Sequence, residues 1–191
     1  MNLNEAISKA NEIEGWMEDC QLGTLAELCR DCETFIEVGS FRGKTTKLLS
    51  LMCEGTIYAV DHFAGAPDLV WMQEVVEQNI NLFKSNLAEE LQSEKVILYP
   101  YESGEAAEIL RKDGIMADCV FIDANHTYEG VKRDIENYLP LVKPGGILCG
   151  HDYCNAFDRY GPWDHVGVSQ AVDEIFGCEI EVATGIWIKK L

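Results

Sequence analysis

Apolar positions along the chain follow two periods. Short continuous runs read as strands buried on both faces, and longer stretches between them repeat apolar residues every three or four positions, as an amphipathic helix does. Leu3, Ile7, Ala10, Ile13 and Met17 predict a helix over 3–18, and Leu22, Leu25 and Leu28 a second over 22–30. TFIEV (34–38) is the first strand, followed by a Gly-bounded turn and a helix from Lys44 with Leu48, Leu51 and Met52 on one face. TIYAVD (56–61) is the second strand, HFAGAPD (62–68) a loop, and 71–91 a helix carrying Met72, Val75, Val76, Ile80, Phe83 and Leu87. KVILY (95–99), a short helix at 104–112, ADCVFID (117–123) and a helix at 128–139 come next. KPGG (143–146) reads as a turn, since Pro lacks a donor and Gly favours left-handed torsions. ILCG (147–150) is the fifth strand, 151–166 a long aromatic loop, and 168–176 a helix. EIEVA (179–183) and GIWIKK (185–190) close the chain as a tightly turned pair.

Repeated β-α-β units imply an α/β fold, with a mainly parallel sheet, helices on both faces and an antiparallel closing strand. In such sheets ligands bind beyond the carboxyl ends of the strands, near the point where strand order switches. Chemistry is therefore to be sought in the residues that follow each strand.

Composition narrows the setting. The 191 residues suit one domain over 1–191, with N-terminal helices in 1–33 and the core in 34–191. A 47% hydrophobic and 25% charged content is that of a soluble globular chain. The net charge of −18 repels phosphate backbones and anionic surfaces, which argues against nucleic acid and membrane as partners. No apolar run reaches the length of a membrane span, and the polar N-terminus is no signal peptide, so the expected location is cytoplasmic. The eight cysteines fit that location, as most lie inside apolar runs. Cys29 and Cys32 have C-x-x-C spacing, but without a second ligand pair they read as buried hydrophobes.

The turn after the first strand runs Glu37-Val38-Gly39-Ser40-Phe41-Arg42-Gly43-Lys44. Gly39 permits a tight turn, and Gly43 lets the next helix begin close to a ligand whose carboxylate or phosphate meets its free N–H groups. Gly39 and Gly43 enclose three residues, one fewer than a phosphate-binding loop requires, and Phe41 stands where a dinucleotide fingerprint needs its second glycine. Asp61 lies 22 residues beyond Gly39, the spacing of an acid that accepts from ribose hydroxyls, with His62 beside it. Glu37, an acid inside a buried strand, needs partners, which a ligand amine or the glycine turn can provide. Glu102 and Ser103 follow the third strand, where a polar group meets an adenine edge or caps a helix. Asp123 and His126 follow the fourth strand, and His151 and Asp152 the fifth, so two carboxylates and two histidines converge at neighbouring strand ends.

Taken in order, FIEVGSFRG (35–43), AVD (59–61), VFIDANH (120–126) with Tyr128-Glu129-Gly130, LVKPGG (141–146), GHDY (150–153) and GVSQAVDEIF (167–176) resemble the class I methyltransferases. The most similar group is the small methyltransferases related to sugar and antibiotic O-methyltransferases and to cephalosporin-hydroxylase-like proteins. The resemblance implies a Rossmann-like doubly wound sheet of seven strands, the last antiparallel. It implies S-adenosylmethionine near Glu37, Gly39, Ser40, Gly43, His62 and Asp123, its ribose on Asp61 and its adenine near Glu102 and Ser103. It also allows Mg²⁺ or another divalent metal on Asp123, His151 and Asp152, although His151 departs from the oxygen ligands that Mg²⁺ prefers. A homo-oligomer is a further expectation from relatives that self-associate.

The expected chemistry is O-methyl transfer to a small hydroxylated acceptor such as a sugar or natural product. Asp123, His126, His151 and Asp152 are the catalytic candidates: either histidine serves as base, Asp152 orients it, or a metal lowers the hydroxyl pKa. Phe63, Trp71, Tyr160 and Trp163 in the loops 62–70 and 153–166 are candidates to shape the acceptor pocket. The rival readings are a P-loop-like nucleotide hydrolase and a module that binds S-adenosylmethionine without turnover.

Overall fold

The computed structural model describes residues 1–65, 76–153 and 166–191. Its elements run α1 (Leu3–Ala10), α2 (Asp19–Cys29), β1 (Thr34–Val38), α3 (Lys44–Met52), β2 (Thr56–Val60), α4 (Val76–Asn86), α5 (Ala88–Gln92), β3 (Val96–Tyr99), α6 (Ser103–Lys112), β4 (Ala117–Ile122), α7 (Tyr128–Tyr138), β5 (Val142–Gly150), α8 (Val166–Phe176), β6 (Glu181–Ala183) and β7 (Ile186–Lys190). The seven strands form one sheet in the order β3-β2-β1-β4-β5-β7-β6. β1 to β5 are parallel, and β7 runs antiparallel to both β5 and β6. The expected α/β architecture with an antiparallel last strand is therefore the observed one.

Strand period sorts the core into two layers. Phe35, Ile57, Cys119, Phe121 and Ile188 face the α1, α2 and α3 side, where they meet Leu22, Leu25, Leu48, Phe83 and Leu87. Ile36, Val38, Val120, Ile122, Leu148 and Trp187 face α6, α7 and α8. Cys29 and Cys32 are buried in the first layer, their thiols donating to the carbonyls of Ala26 and Leu28, and burial pushes both thiols up. The C-x-x-C pair is thus apolar packing.

Three boundaries differ from the pattern. The helix over 3–18 ends at Ala10, with Asn11 as its cap, and 11–18 are irregular up to the start of α2 at Asp19, because Glu14, Gly15 and Trp16 are drawn onto the glycine turn instead. The helix over 71–91 is broken at Leu87 (φ −111°) into α4 and α5, and its first five residues, with Trp71, lie outside the described part. The KPGG segment belongs to β5 rather than to a free turn. Gly145 adopts φ +81° within a register irregularity, and Gly145 and Gly146 pair with the Leu191 backbone, so the chain end satisfies the groups that a turn would expose. Tyr160 and Trp163 also lie outside the described residues.

Candidate active site

The strand order reverses between β1 and β4, and a cavity of about 800 Å³ opens at the carboxyl ends there. Its wall includes Gly39, Ser40, Asp61, His62, Glu102, Ser103, Asp123, His126, His151 and Asp152. The structure therefore brings together most of the residues singled out from the sequence. Glu37 and Gly43 stand behind this wall and support it.

Gly39 turns at φ +97°, and a Cβ there would lie 1.9 Å from the Asp123 carbonyl oxygen, so only glycine lets β1 and β4 approach so closely. Glu37 shares the Phe35 face of β1. Its Oε2 accepts from the hydroxyls of Ser40 at 2.9 Å and Thr46 at 2.5 Å, while Oε1 has no partner among the described residues. Complete burial pushes Glu37 up to about 8, against the pull of those two hydroxyls. Asp61 ties two turns together: Oδ2 accepts from the Phe41 amide at 2.7 Å and Oδ1 from the Phe63 amide at 2.6 Å. Burial pushes its carboxyl up while those amides pull it down. The Ser40 amide adds a third contact, which still leaves the carboxyl a lone pair for a hydroxyl donor. His62 Nδ1 accepts from the Ala64 amide at 2.9 Å and faces Glu102 at 3.9 Å.

At the other side of the cavity, the Asp123 amide donates to Val38 O and the His151 amide to Ile122 O, which extends the parallel ladder and fixes both residues at its end. His126 Nε2 lies 3.5 Å from Asp123 Oδ1 and 3.3 Å from Asp152 Oδ2. His151 Nδ1 lies 3.4 Å from Asp123 Oδ1 and 3.3 Å from Asp152 Oδ1. Burial alone would push His151 down, but the Asp123 and Asp152 carboxylates outweigh it and hold the imidazole up at about 10. The same two histidines hold Asp123 well below the usual carboxylate range, against its burial. Asp152 takes φ +58°, a conformation rare outside glycine, and so turns its carboxylate back toward His126 and His151. Asp123, His126 and Asp152 each offer a donor atom within 4.8 Å of the others.

Residues 36–153 match the sequence profile of a family described as a methyltransferase domain. The chain belongs to that family. Solved methyltransferases share its fold. An O-methyltransferase from Bacillus cereus in complex with SAH (S-adenosylhomocysteine) superposes with a TM-score of 0.68 at 16% identity, over 99% of this chain and 89% of the other. TomG from Streptomyces achromogenes, an O-methyltransferase involved in tomaymycin synthesis and solved with SAM (S-adenosylmethionine), gives 0.66 at 18% identity over 97% and 87%. CalS11, a TDP-rhamnose 3'-O-methyltransferase of calicheamicin biosynthesis, gives 0.54 at 13% identity over 98% and 76%. No curated protein matches the chain in sequence.

The methyltransferase site also contains residues that the sequence reading passed over. Trp16, Met17 and Glu18 reach the cavity from the loop between α1 and α2, and Lys44 and Thr45 from the start of α3. Asp134 reaches it from α7. The loop residues lie where the apolar period, through Met17, marks a helix rather than a site. Asp134 does carry a signal, because an acid aligned with Val131, Ile135 and Tyr138 interrupts the apolar face of a helix.

Proposed function

We propose that this methyltransferase domain transfers the methyl group of S-adenosylmethionine to a hydroxyl of a small acceptor. The observation that carries the reading is the pairing of a nucleoside-sized cavity at the strand switch with the Asp123–His126–His151–Asp152 cluster on its wall. Asp61 and the glycine turn hold the ribose and the amino-acid end of the cofactor. The fold shared with O-methyltransferases solved with SAH or SAM supports this assignment.

The sulfonium already activates the methyl group, so the protein must align the acceptor oxygen and take its proton. His151, held up at about 10, is an imidazolium at neutral pH and has no lone pair for that proton. In this reading His126, which faces the cavity beside Asp123 and Asp152, serves as the base when no cation is bound, and the two carboxylates stabilise the charge that it gains. His151 donates from Nδ1 to the same two carboxylates and fixes their orientation.

The donor set also fits a divalent cation. Asp123, His126 and Asp152 would hold it, a set that takes His126 where the expected one took His151 and that would withdraw His126 from the role of base, and their mixed nitrogen and oxygen donors suit Mn²⁺, Fe²⁺ or Zn²⁺ better than Mg²⁺. A cation there would lower the pKa of an acceptor hydroxyl. We extend the reading to a cytoplasmic protein, as expected from the sequence, and to a small-molecule acceptor rather than a polyanion, which the −18 net charge disfavours.

Titration calorimetry with S-adenosylmethionine tests the assignment. The protein is expected to bind it, and Asp61→Ala to abolish binding. Undiminished binding by that variant would remove the ribose contact, and thermal stabilisation by ATP alone would favour nucleotide hydrolysis.

A further inference from the structure

The remaining end of the cavity carries a carboxylate that this mechanism does not use. Asp134 is 1% exposed on the buried face of α7, where an acid is costly unless partnered. Its Oδ1 accepts from the Ser103 hydroxyl at 2.5 Å. Ser103 is itself fixed, because Tyr138 Oη donates to its carbonyl at 2.9 Å. Asp134 Oδ2 has no hydrogen-bond partner among the described residues, and Asp134 and Ser103 both line the cavity. Burial pushes the carboxyl up to about 6, with Ser103 and Arg133 pulling it down, so it is mostly ionised at neutral pH. One oxygen is anchored, and the other is a pure acceptor on a residue that lines the ligand space.

Position decides what that acceptor meets. In the S-adenosylmethionine reading the reacting end of the cofactor lies at Asp123 and Asp152 and its ribose at Asp61, which leaves the base for the part of the wall with Ser103 and Asp134. We propose that Asp134 reads the cofactor base by accepting an N–H from the exocyclic amino group of adenine, an assignment that rests on the S-adenosylmethionine reading above. A keto purine turns an oxygen toward the carboxylate and meets lone pair with lone pair. Glu102, 74% exposed in its side chain, is too hydrated to impose such a choice.

Calorimetry with S-adenosylhomocysteine and with S-inosylhomocysteine, in which the amino group is replaced by a keto oxygen, tests the proposal. The wild-type protein is expected to prefer the adenosyl compound by roughly tenfold to a hundredfold, the range for a hydrogen bond to a charged group. In Asp134→Asn the amide oxygen takes over the Ser103 hydrogen bond and the amide N–H₂ faces the base, so the preference should vanish or reverse. A side chain with a merely structural role would weaken both ligands together. Ser103→Ala, which removes the anchor and leaves the acid, should narrow the preference and serves if Asp134→Asn fails to fold. Equal binding of both compounds by the wild type, or an unchanged preference in Asp134→Asn, overturns the proposal. Binding of neither compound by the wild type overturns the S-adenosylmethionine reading, and this assignment with it.

Discussion

Trp16 lies against Phe41, with ring centroids 4.9 Å apart and planes 35° apart. This contact joins the loop between α1 and α2 to the glycine turn after β1. Arg42 reinforces it from below: its guanidinium sits 4.9 Å from the Phe41 centroid, pairs with Glu14 and donates to Asn79 Oδ1 at 3.0 Å. The loop that the apolar period marks as helix is therefore one wall of the cavity.

Trp16 remains 57% exposed, so the contact serves the ligand space more than the core. Trp16→Ala is expected to weaken S-adenosylhomocysteine binding by roughly twofold to tenfold, the worth of an aromatic pair. Its melting temperature should change little. A large drop in melting temperature with unchanged affinity would show that the indole is a core residue.

Gly39 and Gly114 both adopt positive φ, +97° and +72°, but only Gly39 is crowded. A Cβ at Gly39 meets Asp123 O at 1.9 Å, whereas one at Gly114 meets nothing within 4 Å. Gly39→Ala should cost about 3 kcal/mol or more and displace Asp123. Gly114→Ala should cost only the backbone strain, about 1 kcal/mol. Urea denaturation of the two variants measures the difference, and equal costs would mean that close packing of β1 against β4 is unimportant.

Glu37 links stability to pH. Its carboxyl titrates near 8 in the folded protein against an ordinary 4.5, so the folded state holds the proton more tightly. Between those values the unfolded chain releases a proton that the folded chain keeps, and stability falls as pH rises, by at most about 1.4 kcal/mol per pH unit. The contribution is complete below 4.5 and lost above 8. Glu37→Gln removes it. Denaturation midpoints from pH 5 to 8 should converge with rising pH if the wild type starts the more stable, or diverge if it starts the less stable. Parallel curves would show that Glu37 titrates normally.

Much of the fold was legible because local rules and tertiary packing agree. TFIEV, TIYAV and ADCVFI are strands in the structure as their continuous apolar runs require, and their order with the intervening helices implies a parallel sheet. The site was legible to the same extent, because parallel strands place Gly39, Asp61, Asp123 and His151 at one edge.

Chain order alone could not assign roles to the four titratable groups of the cluster. Asp123, His126, His151 and Asp152 are named by sequence, but which histidine keeps a lone pair depends on burial and on two carboxylates that approach only when β4 and β5 pair. The same is true of Asp134, whose meaning depends on Ser103 meeting it across a helix packing. The glycine turn shows both levels. Its spacing, three residues between Gly39 and Gly43, is local and argues against a phosphate loop from sequence alone. Its closure by Trp16, Glu14 and Asp61 is not local, because ring stacking, ion pairing and amide capping act over distances that only the folded chain makes short.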